Sequence, residues 1–98
     1  MKTYSLTIAT PDGDLLHEDV AALFLRGAQG DLAVLPGHIP FITTVKSGMC
    51  RVDFSDGTVR TGHCDSGILS VGAKETTLLS GTFRWDEERS DPRDTAGS

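Results

Sequence analysis

Hydrophobic and polar residues alternate with a period of two along most of this chain. Tyr4, Leu6 and Ile8 are spaced by Ser5 and Thr7, the pattern of a strand with one buried and one exposed face. Pro11-Asp12-Gly13-Asp14 then supplies turn residues. Cys50, Val52 and Phe54 alternate with Met49, Arg51 and Asp53, and the alternation resumes at Val59, Thr61 and His63. The intervening Ser55-Asp56-Gly57-Thr58 predicts a two-residue hairpin at Asp-Gly, a pair that tolerates the positive φ such turns demand. That register sets Phe54 opposite Val59 and Cys50 opposite His63, and turns Cys64 to the other face of the sheet from Cys50. Residues 66–72 (SGILSVG) and 76–80 (TTLLS) predict a further strand pair across Ala73-Lys74-Glu75.

One segment supports two readings. Leu16, Val20, Leu23 and Phe24 fall at helical spacing, with Asp14 placed to cap the start and Gly27 to close the end. As a strand, the same stretch sends apolar residues to both faces, as expected where both are covered. Local physics leaves the choice open. Elsewhere, 11 glycines and 4 prolines punctuate short runs, the pattern of an all-β sandwich or barrel.

Composition narrows the function classes. A chain of 98 residues holds one small core, and no apolar run approaches the length needed to span a bilayer. Residues 1–85 form the expected domain. Residues 86–98 (DEERSDPRDTAGS) carry five acids and two bases with almost nothing to bury, so an acidic, disordered tail is expected there. The net charge of −5 and the lack of a basic stripe argue against nucleic acid and anionic lipid as partners. The N-terminus lacks an apolar leader, so export is not expected and both cysteines read as reduced thiols.

Candidate chemistry is sparse. Cys50 beside His63 would suggest an activated thiol; the plainer reading is a core cysteine and a solvated edge histidine. His17, His38 and His63 are scattered without metal-ligand spacing. Gly27-Ala28-Gln29-Gly30 matches no phosphate-binding loop, and the acidic pairs read as solvated turns and tail. The distinctive stretch is 30–48 (GDLAVLPGHIPFITTVKSG), in which Pro36-Gly37 predicts a tight turn between two strands, 32–35 and 39–45. Pro40 removes a ladder donor just beyond it. Such a stiff knuckle can be presented to a partner at low entropic cost.

That stretch, followed by Val45-Lys46-Ser47-Gly48-Met49, 66–71 (SGILSV) and Thr77-Leu78-Leu79, resembles the N-terminal β-sandwich of the F-type ATP synthase epsilon subunit, over about residues 6–82. The resemblance implies an all-β fold, a two-sheet antiparallel β-sandwich of about ten short strands, with residues 16–26 as strand. It implies a non-catalytic rotor subunit of the central stalk, coupling the gamma subunit to the membrane c-ring in proton- or sodium-driven ATP synthesis. The ring- or gamma-facing residues would be Asp31, Leu35, Pro36, Gly37, His38 and Pro40, with Lys46 and Arg51 as further polar contacts. Asp31 stands where relatives commonly have Glu, and Ala33 where many have Gly. The family's C-terminal helical hairpin has no counterpart here, so no cofactor and no nucleotide site are expected. The implied location is peripheral, at the cytoplasmic face of a bacterial inner membrane or the stromal face of a thylakoid, without direct lipid insertion. The competing expectations are a small thiol enzyme or metal-binding sandwich using Cys50 and His63, and an unrelated adaptor sandwich that recognises peptides at a sheet edge.

Overall fold

Alternating sequence becomes strand throughout the computed structural model, which describes residues 2–37 and 39–86. The expected knuckle residue His38 and the expected disorder of 87–98 lie outside the described residues. Among those residues are nine strands and no helix: β1 (Tyr4–Thr10), β2 (Gly13–Gly27), β3 (Gly30–Val34), β4 (Phe41–Val45), β5 (Gly48–Phe54), β6 (Val59–Cys64), β7 (Gly67–Val71), β8 (Glu75–Ser80) and β9 (Phe83–Trp85).

The long strand β2 organises the two layers of the sandwich. Its first half pairs with β1, from Gly13 opposite Thr10 to Val20 opposite Tyr4. Its second half pairs with β5 and β3. One layer therefore runs β2–β1–β8–β7–β4 and the other β3–β2–β5–β6–β9. A register shift between Val20 and Ala22 marks the change of partner, since a bulge bends and twists the strand that carries it. One 15-residue strand thus serves both sheets, which accounts for nine strands where about ten were expected. The pairing is antiparallel except for β1 with β8, which is parallel.

The core lies between the layers. Leu6, Ile8, Val20, Leu23, Val52, Leu69 and Leu78 are fully buried, and each such side chain is worth about 1.5–3 kcal/mol relative to exposure. The Tyr4 hydroxyl donates to the Val34 carbonyl at 2.7 Å, tying β1 to β3 across the sandwich. Burial, reinforced by Cys50 and Asp53, pushes this phenol far above its ordinary range. Leu16, Val20 and Leu23 all turn inward from an extended strand, so the segment open to helix or strand is strand.

Two expectations are corrected. The Asp56-Gly57 turn is a three-residue loop: Gly57 N–H donates to Phe54 O at 3.1 Å and Phe54 N–H to Thr58 O at 2.8 Å. Gly57 takes φ +93°, as in a type I turn closed by a glycine bulge. The Asp56 carboxylate accepts from the Thr58 N–H and hydroxyl at 2.9 and 2.6 Å, which lowers its pKa. The register therefore moves by one: Asp53 faces Val59, Met49 faces His63, and Cys50 faces Gly62. Cys50 and Cys64 consequently share the inner face and are both buried as free thiols. Second, Pro36-Gly37 does not close a hairpin. β3 pairs with β2, while β4 pairs with β7 and, at Val45, with Gly27, so the connection between them crosses from one sheet to the other.

Candidate functional site

The β3–β4 connection holds most of the expected site. Asp31 opens β3 opposite Arg26, exposed, and Val34 closes the strand, buried. Leu35 is exposed, Pro36 half-buried, and Gly37 and Pro40 exposed. Gly37 has φ +88° and open space around a would-be Cβ, so the glycine serves the backbone turn rather than a close approach. Beyond Pro40 the chain returns so that Phe41–Thr43 line a shallow groove together with 27–32, Asp31 included. Asp31 is thus brought beside the far end of the connection.

Asp31 also borders a second open groove of about 460 Å³ with Phe24, Arg26, Ala33, Met49, Arg51 and Thr61. Arg51 stands over the Phe24 ring at 5.2 Å and donates to the Asp53 carboxylate at 2.8 and 3.2 Å. It is therefore engaged on the outer face of the second sheet. Lys46 is exposed beside β2, its N–H donating to Arg26 O at 3.0 Å.

Two residues that were not singled out are the most exposed large apolar side chains at this end. Ile39 is 82% exposed and Ile42 73%. Ile39 sits between the two prolines, a context in which a bulky apolar residue is a visible signal. Ile42 gains its meaning only from strand pairing. It faces Ser70, which faces Thr77, which faces Thr7; alongside, Thr44, Ile68, Leu79 and Ala9 form a parallel row. These eight residues make up the outer face of the β4–β7–β8–β1 sheet, and none is charged. Glu75 and the first half of β2, with Asp14, His17 and Asp19, border it.

The thiol reading loses its geometry here. Cys50 points into the core, where burial pushes its thiol up to about 12 with a smaller contribution from Cys64. Burial likewise raises Cys64, partly offset by its hydrogen bond toward Gly48 O. His63 lies on the opposite face, with Nδ1 3.3 Å from Asp86. Among the described residues no three His, Cys, Asp or Glu side chains gather as for a metal ion; His17 instead meets the Thr7 hydroxyl at 2.7 Å.

Architecture and surfaces together define a two-layer β-sandwich whose polar and apolar groups are spread over outer faces and open grooves. Residues 3–86 match the family described as the β-sandwich domain of the ATP synthase delta/epsilon chain, and the chain belongs to that family. The ATP synthase epsilon chain, sodium ion specific, of Acetobacterium woodii is 32% identical over 87 residues, covering 89% of this chain and 65% of that relative. The ATP synthase epsilon chain of Bacillus velezensis is 36% identical over 80 residues, covering 82% and 60%. A chain in the cryo-EM structure of the Euglena gracilis mitochondrial ATP synthase OSCP/F1/c-ring assembly shares the fold, with a TM-score of 0.83 at 24% identity, covering 97% of this chain and 60% of that one. The chain thus spans 60–65% of the length of these two curated relatives.

Proposed function

We propose that this chain is a non-catalytic rotor subunit in the central stalk of an F-type ATP synthase, coupling the gamma subunit to the membrane c-ring in proton- or sodium-driven ATP synthesis. Family membership supports the assembly, and the names of the relatives support the epsilon position within it. The observation that carries a coupling role is the uncharged outer face of β4–β7–β8–β1, continuous through Ile42 with the exposed 35–40 connection. A surface without charges gives up little hydration when covered by protein. In this reading that face packs on gamma. Asp31, Leu35, Pro36, Gly37, His38 and Pro40, joined by Ile39, meet the polar loops of the ring. The subunit is held at the cytoplasmic face of the membrane through the complex.

Torque transfer calls for stiff bodies and broad contacts rather than a reactive centre. A core sealed between two sheets and bridged by the Tyr4–Val34 hydrogen bond meets that requirement. The test is the double variant Asp31→Lys, His38→Ala. The catalytic head should come away from the membrane sector during detergent purification, while the circular dichroism of the purified subunit stays that of wild type. Undiminished recovery of the ring together with full ATP-driven ion pumping would refute the assignment of this connection.

A further inference from the structure

We propose that Asp86, Thr61 and His63 form a proton-responsive latch that fixes where the chain leaves the sandwich. The strand they secure is slight. β9 has three residues and, among the described strands, pairs only with β6. Just past its end, Asp86 is bound three ways to β6. Its N–H donates to Thr61 O at 2.9 Å, its Oδ2 accepts from the Thr61 hydroxyl at 2.8 Å, and its Oδ1 lies 3.3 Å from His63 Nδ1. Trp85, immediately before it, packs edge-on against Phe83 and under the Arg60 guanidinium at 4.0 Å.

The first two bonds are indifferent to pH near neutrality, but the third is not. A neutral imidazole spends part of its time as the tautomer with a bare Nδ1, whose lone pair then faces the carboxylate. Protonation removes that state, makes Nδ1 a permanent donor and adds a charge. The Asp86 carboxyl is held below the usual carboxylate range, chiefly by the Thr61 hydroxyl and further by His63 and Arg84. It therefore stays ionised while the imidazole titrates. The other groups around His63 are Arg84, directly opposite on β9, and Met49, directly opposite on β5. Arg51 stands one position further along the same face of β5, its charge already occupied by Asp53 at 2.8 Å. Arg84 opposes protonation, but the contacting group is the carboxylate. The latch tightens as pH falls through the imidazole range and slackens above it, so residue 87 starts from a better-fixed point under acidic conditions. None of the three residues belongs to the surfaces assigned to gamma or the ring, and the inference stands or falls apart from that assignment.

Amide exchange by NMR on the 98-residue chain tests it, read at the Asp86 N–H and corrected for the intrinsic pH dependence of exchange. Protection should be about two- to fivefold greater at pH 5.5 than at pH 8, the range of a single exposed ion pair. His63→Gln should make protection equal at the two pH values, and Thr61→Val should lower it at both by the same factor. A flat wild-type profile would overturn the latch, and so would a His63→Gln chain that keeps the wild-type pH dependence.

Discussion

On the outer face of the β4–β7–β8–β1 sheet, every inward residue is followed by Ser, Thr, Ala, Ile or Leu. The corresponding positions of β2, β3, β5, β6 and β9 hold Arg26, Asp31, Arg51, Asp53, His63 and Arg84. Both sheets share the same core and the same period. Their outward positions are free of packing constraints, so the difference lies in what each face meets. The charged face satisfies itself and water: Arg51 is tied to Asp53 and Phe24, and His63 to Asp86. The neutral face offers Ile68 and Leu79 side by side, 46% and 51% exposed, with hydroxyl residues between the apolar ones. Depletion of charge at the centre of a patch is the compositional mark of a protein interface.

The comparison breaks most visibly if charge is placed on the neutral face. Ile68→Lys with Leu79→Glu puts an opposite pair directly across two strands, so the sheet should persist. Affinity for isolated gamma subunit, measured by surface plasmon resonance, should fall on the order of 100-fold, because each new charge must be desolvated on docking. Met49→Lys on the charged face should change it by less than about threefold. Equal losses from the two faces would erase the distinction.

A smaller effect separates the shared core from both faces. The Cys50 thiol, ordinarily near 9.0, is held up to about 12 by burial. Above pH 9 the unfolded chain therefore gives up this proton while the folded chain keeps it. Stability present below pH 9 should be lost as pH rises toward 12, by up to about 1.4 kcal/mol per pH unit. Urea unfolding at pH 8, 9 and 10 measures the slope, and Cys50→Ala should flatten it to the part contributed by Cys64 and other groups. A slope unchanged in that variant would mean that the buried thiol is not its source.

The smallest effects concern the faces themselves. Arg51→Ala removes an exposed ion pair and a cation–ring contact and should cost no more than about 1 kcal/mol, less in 1 M salt as screening removes the ionic part. Ile42→Thr should change stability by under about 0.5 kcal/mol. Both are read from urea midpoints. A loss at Ile42 as large as a core truncation would show that the neutral face is part of the fold's stability rather than a surface kept for a partner.

Much of the fold was legible because alternation is a local property: β1, β5, β6, β7 and β8 follow from period-two runs bounded by turn residues. The turn at Asp56-Gly57 shows how far that goes. The residue pair marks the turn, but loop length decides register, and one extra residue moved His63 away from Cys50 and brought Cys64 onto the inner face. Of the site, the 35–40 connection could be seen as a stiff exposed element from its prolines and glycine. That it crosses between sheets could not, because partner choice for β3 and β4 depends on strands remote in sequence.

Residue order by itself determined which positions alternate, where the chain turns and, through the motifs of 30–48, the family. Those are matters of backbone preference and nearby side chains. Tertiary structure alone decided the partners of each strand, the division of β2 between two layers and the parallel pairing of β1 with β8. It also assembled a face without charge from residues 7–9, 42–44, 68–70 and 77–79. The physical reason is that strand hydrogen bonds are made between segments far apart in the chain, and a surface exists only after those segments have been laid side by side.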